Sequence, residues 1–575
     1  MRGIRRNKKT LRIAVVLAAV LLTATILAVT TIQSQSQNQN QNTYPLISLY
    51  LQGFSQNPNT IILPKYDITD NEILNGSTYY ETINVLASNI VIDGNGSTIQ
   101  GPGTNTGYGF VLTGRSNVTI FNVTVTGWQN GFFLSSSSNN NLTGNTANNN
   151  GFGFYLWSSS NNNNLTGNTA NGNVLGFLLD TNCNNNNLTG NIANNNNDAG
   201  FALVYNSNNT LTGNNATGNK NYGFYLFDYS NSNFTGNTAN NNPTGFWLQS
   251  SSNDNFTGNT AINSISRGFY LDTSSNNNFS GNTAYNNSRG FYLVSGSNYN
   301  TFSGNTVYNN TETGFYLYSG SYNNLTGNTA TNNSMRGFYL SSNSNNNLTG
   351  NTAYNNTQYG FHLYESSDNN LTGNTATNND YGFYLTTNSN GNDLWGNTAL
   401  NSTTAGYYWE PSCINNNFTG SVDAYYLRVN VTDSGGLPFP EAQVQVVSNG
   451  TVCYATPHFG GSDPPTAGDG LTPWFAVPYT TFMADNSTTI NNNTITVWYS
   501  TLWEVAVFSD NPRTGVDMSA SHTEDFTLTS MQPSALQTML PVLLLSLTGT
   551  QGGTSPLIYA ALIVAGLAAV AAVLI

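Results

Sequence analysis

Apolar residues along this chain are sparse, alternate with polar ones, and return in register every 22 to 24 residues. In Asn141-Leu-Thr-Gly-Asn-Thr-Ala-Asn-Asn-Asn-Gly-Phe-Gly-Phe-Tyr-Leu156 they are Leu142, Ala147, Phe154 and Leu156. Phe154 and Leu156 stand two apart, so they share one face of a strand while Tyr155 points the other way. No stretch of the repeat offers apolar residues at helical spacing, and its Asn and Gly content opposes a helix. The motif Gly-Phe-x-Leu recurs fourteen times between Gly109 and Gly406, the last copy as Gly-Tyr-Tyr-Trp. Leu/Phe-Thr/Ser-Gly-Asn-Thr runs in phase with it, placing asparagines at 145, 168, 191 and onward to 397. One unit cannot bury its own face, but stacked units place Phe over Phe and Leu over Leu. The expectation is an all-β chain: a right-handed parallel β-helix of about fourteen coils plus a C-terminal β-sandwich, with a hydrophobic helix at each end.

The asparagines fit such a coil. Asn145 and its equivalents follow a glycine at a bend where the chain turns inward. A second set four residues on (Asn149, Asn195, Asn241, Asn263, Asn286, Asn309, Asn332, Asn355, Asn378 and Asn401) is predicted to form another inward ladder. Stacked amides satisfy turn backbone from coil to coil. The chain resembles NosD-like right-handed parallel β-helix repeat proteins, a group related in fold to pectate lyases. The resemblance rests on Ser88-Asn-Ile-Val-Ile-Asp-Gly-Asn-Gly-Ser-Thr-Ile-Gln-Gly101, Asn117-Val-Thr-Ile-Phe-Asn122 and the repeats, and covers roughly 60–420. It implies the fold; such repeats serve lyases, hydrolases, surface proteins and a copper-maturation protein alike.

Outside the repeats the pattern changes. Residues 1–32 carry six basic residues and then an apolar run from Ile13, which reads as a signal peptide or N-terminal membrane anchor. Residues 33–43 form a polar linker and 44–80 an N-terminal cap, with the coils over 81–423. Residues 424–530 alternate in strands separated by Gly, Pro and Asp. Asp433-Ser-Gly-Gly-Leu-Pro-Phe-Pro-Glu-Ala442 and Asp469-Gly-Leu-Thr472 resemble carboxypeptidase-regulatory or transthyretin-like Ig-type modules, which implies a spacer. A tether over 531–556 leads to an uncharged segment, 557–575, long enough for a transmembrane helix. The expected location is the extracytoplasmic cell surface, membrane-anchored. Cys413 and Cys453 flank the boundary between coils and module and are a candidate disulfide.

Charge narrows the choice of partner. Beyond the basic cluster the chain is acidic, within an overall net charge of −13, so nucleic acid is an improbable ligand. His362, His458 and His522 lie far apart, so no metal site or cofactor is expected, and His362 reads as a surface residue. Asp180, Asp228 and Asp272 are the carboxylates a glycosidase or lyase would use, yet coil spacing sets neighbours in that series roughly 10 Å apart. The strongest surface signal is aromatic. Tyr225, Trp247, Tyr270, Tyr292, Tyr316 and Tyr339 occupy the outward x of Gly-Phe-x-Leu, edged by Arg267, Arg289 and Arg336. Sugar rings stack on such a strip, and aromatic ladders also stabilise parallel strands without any ligand. Asn141, Asn164, Asn187, Asn233, Asn255, Asn278, Asn324, Asn347 and Asn370 head outward Asn-x-Ser/Thr sequons and are candidate glycosylation sites. The sequence thus reads as a surface glycoprotein with a structural, adhesive or carbohydrate-binding role. A polysaccharide lyase or glycoside hydrolase is the alternative, and a NosD-like copper-site accessory protein ranks below both.

Overall fold

The structure, a computed structural model, describes residues 64–531 apart from 105, 229, 484, 486, 501–506, 510 and 511. The predicted hydrophobic segments at 13–32 and 557–575 lie outside the described residues, as do the 33–43 linker and the 531–556 tether past its first residue. Among the described residues there is no α-helix, and no helix long and apolar enough to cross a membrane.

Each coil contributes one strand to each of three parallel faces. The first is a 16-stranded sheet running from Lys65–Ile68 to Ala405–Trp409. The second is a 15-stranded sheet from Glu72–Ile73 to Asp393–Trp395. The third begins at Thr78–Tyr79 and is reduced to isolated bridges at Thr169. The result is a β-solenoid of about fifteen turns, roughly 70 Å long at the spacing of hydrogen-bonded strands. In-register pairing starts with Lys65 against Thr82, so coil geometry already occupies much of the stretch expected to serve as a cap.

Three kinds of side chain fill the interior. Phe and Leu come from the first sheet, Leu or Phe from the second, and Ala from the third, all fully buried in one continuous core. Phenylalanines stack along the axis, as between Phe132 and Phe154 (4.7 Å between ring centres, 1° between planes). Where the second sheet also supplies Phe, the rings meet edge to face: Phe246 and Phe256 stand 5.9 Å apart at 86°. Each such pair contributes about 0.5–1.5 kcal/mol beyond its burial. The motif glycine follows from this packing. A Cβ on Gly223 would come within 2.7 Å of the Gly245 carbonyl and 2.8 Å of the Ala239 Cβ.

Asparagines line the corners. Asn145 donates its Nδ2–H groups to the Ile120 carbonyl (2.8 Å) and to Asn168 Oδ1 (3.2 Å), which also accepts the Asn145 backbone N–H (3.0 Å). This ladder matches the expectation. The second does not: Asn149, Asn195, Asn286 and their equivalents face solvent with positive φ, and the inward ladder sits one residue later at Asn150, Asn173 and Asn196. Asparagine occupies the outer position because it tolerates left-handed backbone. A further buried ladder, unanticipated from sequence, runs through Asn140, Asn163 and Asn186.

From Val422 the chain changes use. Strand Val422–Asp433 first continues the third sheet beside Thr398–Leu400, then pairs antiparallel with Phe475–Phe482 and parallel with His522–Met531. Gln443–Ser448, Thr451–Ala455 and Asn493–Ser500 pair antiparallel around a separate core that includes Val429, Val444, Val497 and Phe526. Phe482 from this region packs on Tyr407 (4.9 Å) and Phe418 (5.3 Å), closing the end of the helical core against water.

Candidate functional site

The outer face of the first sheet carries the aromatic column, because residues two apart on a strand share a face. Register brings Tyr225, Trp247, Tyr270, Tyr292, Tyr316, Tyr339 and His362 into successive coils. They do not form the exposed strip that sugar stacking requires. Tyr225 is 1% exposed and Trp247 6%. The others stack on one another along the axis: Tyr270 on Tyr292 at 5.5 Å and 13°, Tyr292 on Tyr316 at 4.8 Å and 25°, Tyr316 on Tyr339 at 4.6 Å and 24°. Ring faces are therefore occupied by neighbouring rings and by guanidinium groups. Arg267 lies 4.1 Å from the Tyr270 ring centre, Arg289 4.9 Å from Tyr292, and Arg336 4.3 Å from Tyr339. Burial pushes the Tyr270 phenol up to about 12, so it stays a neutral donor. Ring edges remain, with better exposed aromatics beside them at Trp157, Tyr318 and Tyr408.

His362 is not a surface residue. It is 6% exposed, stacked on Tyr339, and accepts from Arg336 Nε at Nδ1 (3.0 Å), which leaves Nε2–H to donate to Thr386 Oγ1 (3.2 Å). Burial, with the Arg336 charge second, pushes it down to about 3, so it is neutral. His458 stacks on Trp498 at 3.5 Å, and His522 pairs with Glu524. Among the described residues no three of His, Cys, Asp and Glu come together. A ring already bonded to a guanidinium does not suit a copper ion.

The three aspartates stay apart. Asp180 pairs across successive coils with Val204, then Phe227, Gln249 and Asp272, so Asp180 and Asp272 are four coils apart with Asp228 between them. Asp180 accepts from the Tyr155 hydroxyl (3.2 Å) and Thr181 Oγ1 (2.9 Å), and burial raises its pKa. Burial also raises Asp228. No second carboxylate of the series faces either at the separation glycoside cleavage needs. Cys413 belongs to the helical core and Cys453 packs against the other, and both are free.

The nine sequon asparagines head outward from the second sheet. All but Asn233 are bonded to a neighbour in the next coil, as in Asn164 Nδ2 to Asn141 Oδ1 (3.2 Å) and Asn370 Nδ2 to Asn347 Oδ1 (3.0 Å). In six of the nine the sequon hydroxyl turns back onto the asparagine, Thr143 Oγ1 donating to Asn141 Oδ1 at 3.0 Å.

Residues 73–239 match the family described as right handed beta helix region. Residues 259–435 match the family described as periplasmic copper-binding protein (NosD). Together with the coiled parallel sheets these matches decide the class. The chain is a right-handed β-helix protein. No curated protein is significantly similar to it. Solved structures similar to this β-helix include the periplasmic alginate epimerase AlgG (12% identity, TM-score 0.29, 63% of this chain and 85% of that one). They also include the Azotobacter vinelandii mannuronan C-5 epimerase AlgE6 A-module (16%, 0.29, 63% and 89%) and the Dettilon tailspike protein (15%, 0.26, 79% and 84%). At these scores the likenesses carry no argument about activity.

Proposed function

We propose that this β-helix is a non-catalytic extracytoplasmic rod, held at a membrane by its terminal apolar segments, that touches surface carbohydrate through the first sheet. The observation that carries the reading is the ladder on that sheet, continuous from Tyr225 to Tyr408. Each coil in that span commits its outer ring to the next, and no carboxylate pair interrupts the stack. Contact then runs through phenol edges, Arg267 and the exposed Trp157 and Tyr318, by hydrogen bonding more than by stacking. The C-terminal strands act as an Ig-type spacer between coil and membrane. The apolar runs at 13–32 and 557–575 and the periplasmic description of the NosD family support the location.

Full-length protein on a panel of immobilised polysaccharides tests this. Retention without release of sugar ends is expected, weakened by Trp157→Ala with Tyr318→Ala and by added salt. Release of sugar ends that stops with Asp180→Asn would overturn the non-catalytic reading.

A further inference from the structure

The second sheet presents a long, uncharged polar surface bounded by aromatic residues. Its outward positions form two columns in strict register. One carries Asn or Thr in every coil from Thr119 to Asn370, the other a hydroxyl in every coil from Thr143 to Thr372. The chain's net charge is −13, yet no charged residue stands in either column between those limits. The hydroxyl column ends in an aromatic at both extremes: Phe121 precedes Thr143, and Trp395, 54% exposed, follows Thr372. A shallow groove of about 430 Å³ opens at the Phe121 end, lined by Thr119, Phe121, Asn122, Asn141, Thr143 and Gly144.

We infer that this face pairs with a second copy of the chain, rods antiparallel and face to face about a two-fold axis along the strands. Such an axis sets hydroxyl column on hydroxyl column with the coil order reversed. Trp395 of each copy then meets the Phe121 groove of the other, a knob and a hole at each end. Amides and hydroxyls donate and accept equally well, so the columns are self-complementary. Their lack of charge lets two acidic chains approach. Asp393 meets the Thr119 end of the other copy and so faces no like charge. Twelve coil steps and a three-residue strand give roughly 600 Å² per copy, which is at the lower bound for a specific interface and points to a reversible dimer. The same geometry argues against sugar on the column. Adjacent asparagines are one coil, about 4.8 Å, apart, and their amides are already bonded to each other.

The axis passes through the middle coil, at the exposed Thr257. The test uses full-length protein carrying Cys453→Ser, since Cys183 and Cys413 are buried. Under mild oxidation Thr257→Cys should link to itself at twice the chain mass. Thr143→Cys should not link to itself but should link to Thr372→Cys when the two are mixed. Trp395→Ala and Thr257→Arg should each abolish the dimer in sedimentation while leaving the melting curve unchanged. Self-linking of Thr143→Cys as readily as Thr257→Cys would overturn the antiparallel arrangement. Monomers at about 10 μM, or glycans mapped by mass to the Asn141–Asn370 column, would overturn the dimer itself. This inference does not rest on the carbohydrate reading, whose face lies on the other sheet.

Discussion

At the scale of single residues, the buried amide ladders are where one atom decides the outcome. Asp254 stands in the column of Asn140, Asn163 and Asn277, fully enclosed, the carboxylate among amides. Its Oδ1 accepts the Ser232 N–H and its Oδ2 accepts from Ser251 Oγ, both at 2.8 Å. It lacks the Nδ2 with which Asn300, in the same column, donates to Asn323 Oδ1. Burial pushes its pKa up to about 7 from 3.8, with those hydrogen bonds opposing. The folded state therefore holds the proton more tightly than the unfolded chain. Stability from this group is complete below about pH 4 and is lost as pH rises through 7. Asp254→Asn should remove that loss and restore the ladder, stabilising the protein at pH 8 by roughly 4 kcal/mol with little change at pH 4. Thermal unfolding of both proteins across pH 4–8 checks it, and parallel curves would sink the assignment.

Strands and turns show why a repeat this regular needs glycine in two different ways. A Cβ at Gly268 would come within 2.7 Å of the Gly290 carbonyl and 3.1 Å of the Ala284 Cβ, so the cost of Gly268→Ala is steric. Gly281 has open space around it but φ of +62°, so there the cost is conformational. Gly268→Ala should destabilise by about 3 kcal/mol and Gly281→Ala by about 1 kcal/mol, read from denaturant midpoints. Equal losses would mean that one cause serves both. Period, strand content and core were legible at this scale because Phe154, Leu156, Leu142 and Ala147 each keep one place in the period. Which of Asn149 and Asn150 turns inward was not, since the two are the same residue side by side. Substitution held the clue: Gly172 and Gly218 replace the outer asparagine, as left-handed backbone allows, whereas Ser264 replaces the inner one and keeps a hydrogen-bonding group. The aromatic column is legible in the sequence, and the packing of its rings is not. Alternation says that Tyr270 points outward but not whether its ring lies flat to solvent or stacks on Tyr292, and a coil spacing close to ring-stacking distance decides for stacking.

For the whole molecule, a solenoid whose coils touch only their neighbours has stability close to a sum of coil and interface terms. Removing one coil in phase should therefore cost little, while removing part of one should cost nearly everything. Excision of residues 282–304 joins Gly281 to Asn305, which is the equivalent of Asn282 one coil on. Phe269 would then stack on Phe315, Tyr270 on Tyr316, and the amide ladder would pass from Asn259 to Asn305. The particular losses are the Arg289–Glu312 ion pair, half-exposed and worth little, and the Tyr285–Tyr308 stack. Excision of 282–293 would instead join a turn to the end of a strand and put every later coil out of phase. The first variant should fold, keep its strand signal in circular dichroism and lose about one fifteenth of the denaturant sensitivity that reports exposed surface. The second should be insoluble or unfolded. If both fold, register is set by individual strand pairs and the ladders do not hold the coils in phase. If neither folds, the coils act as one indivisible unit, and the C-terminal plug of Phe482 on Tyr407 depends on coils far beyond its contacts.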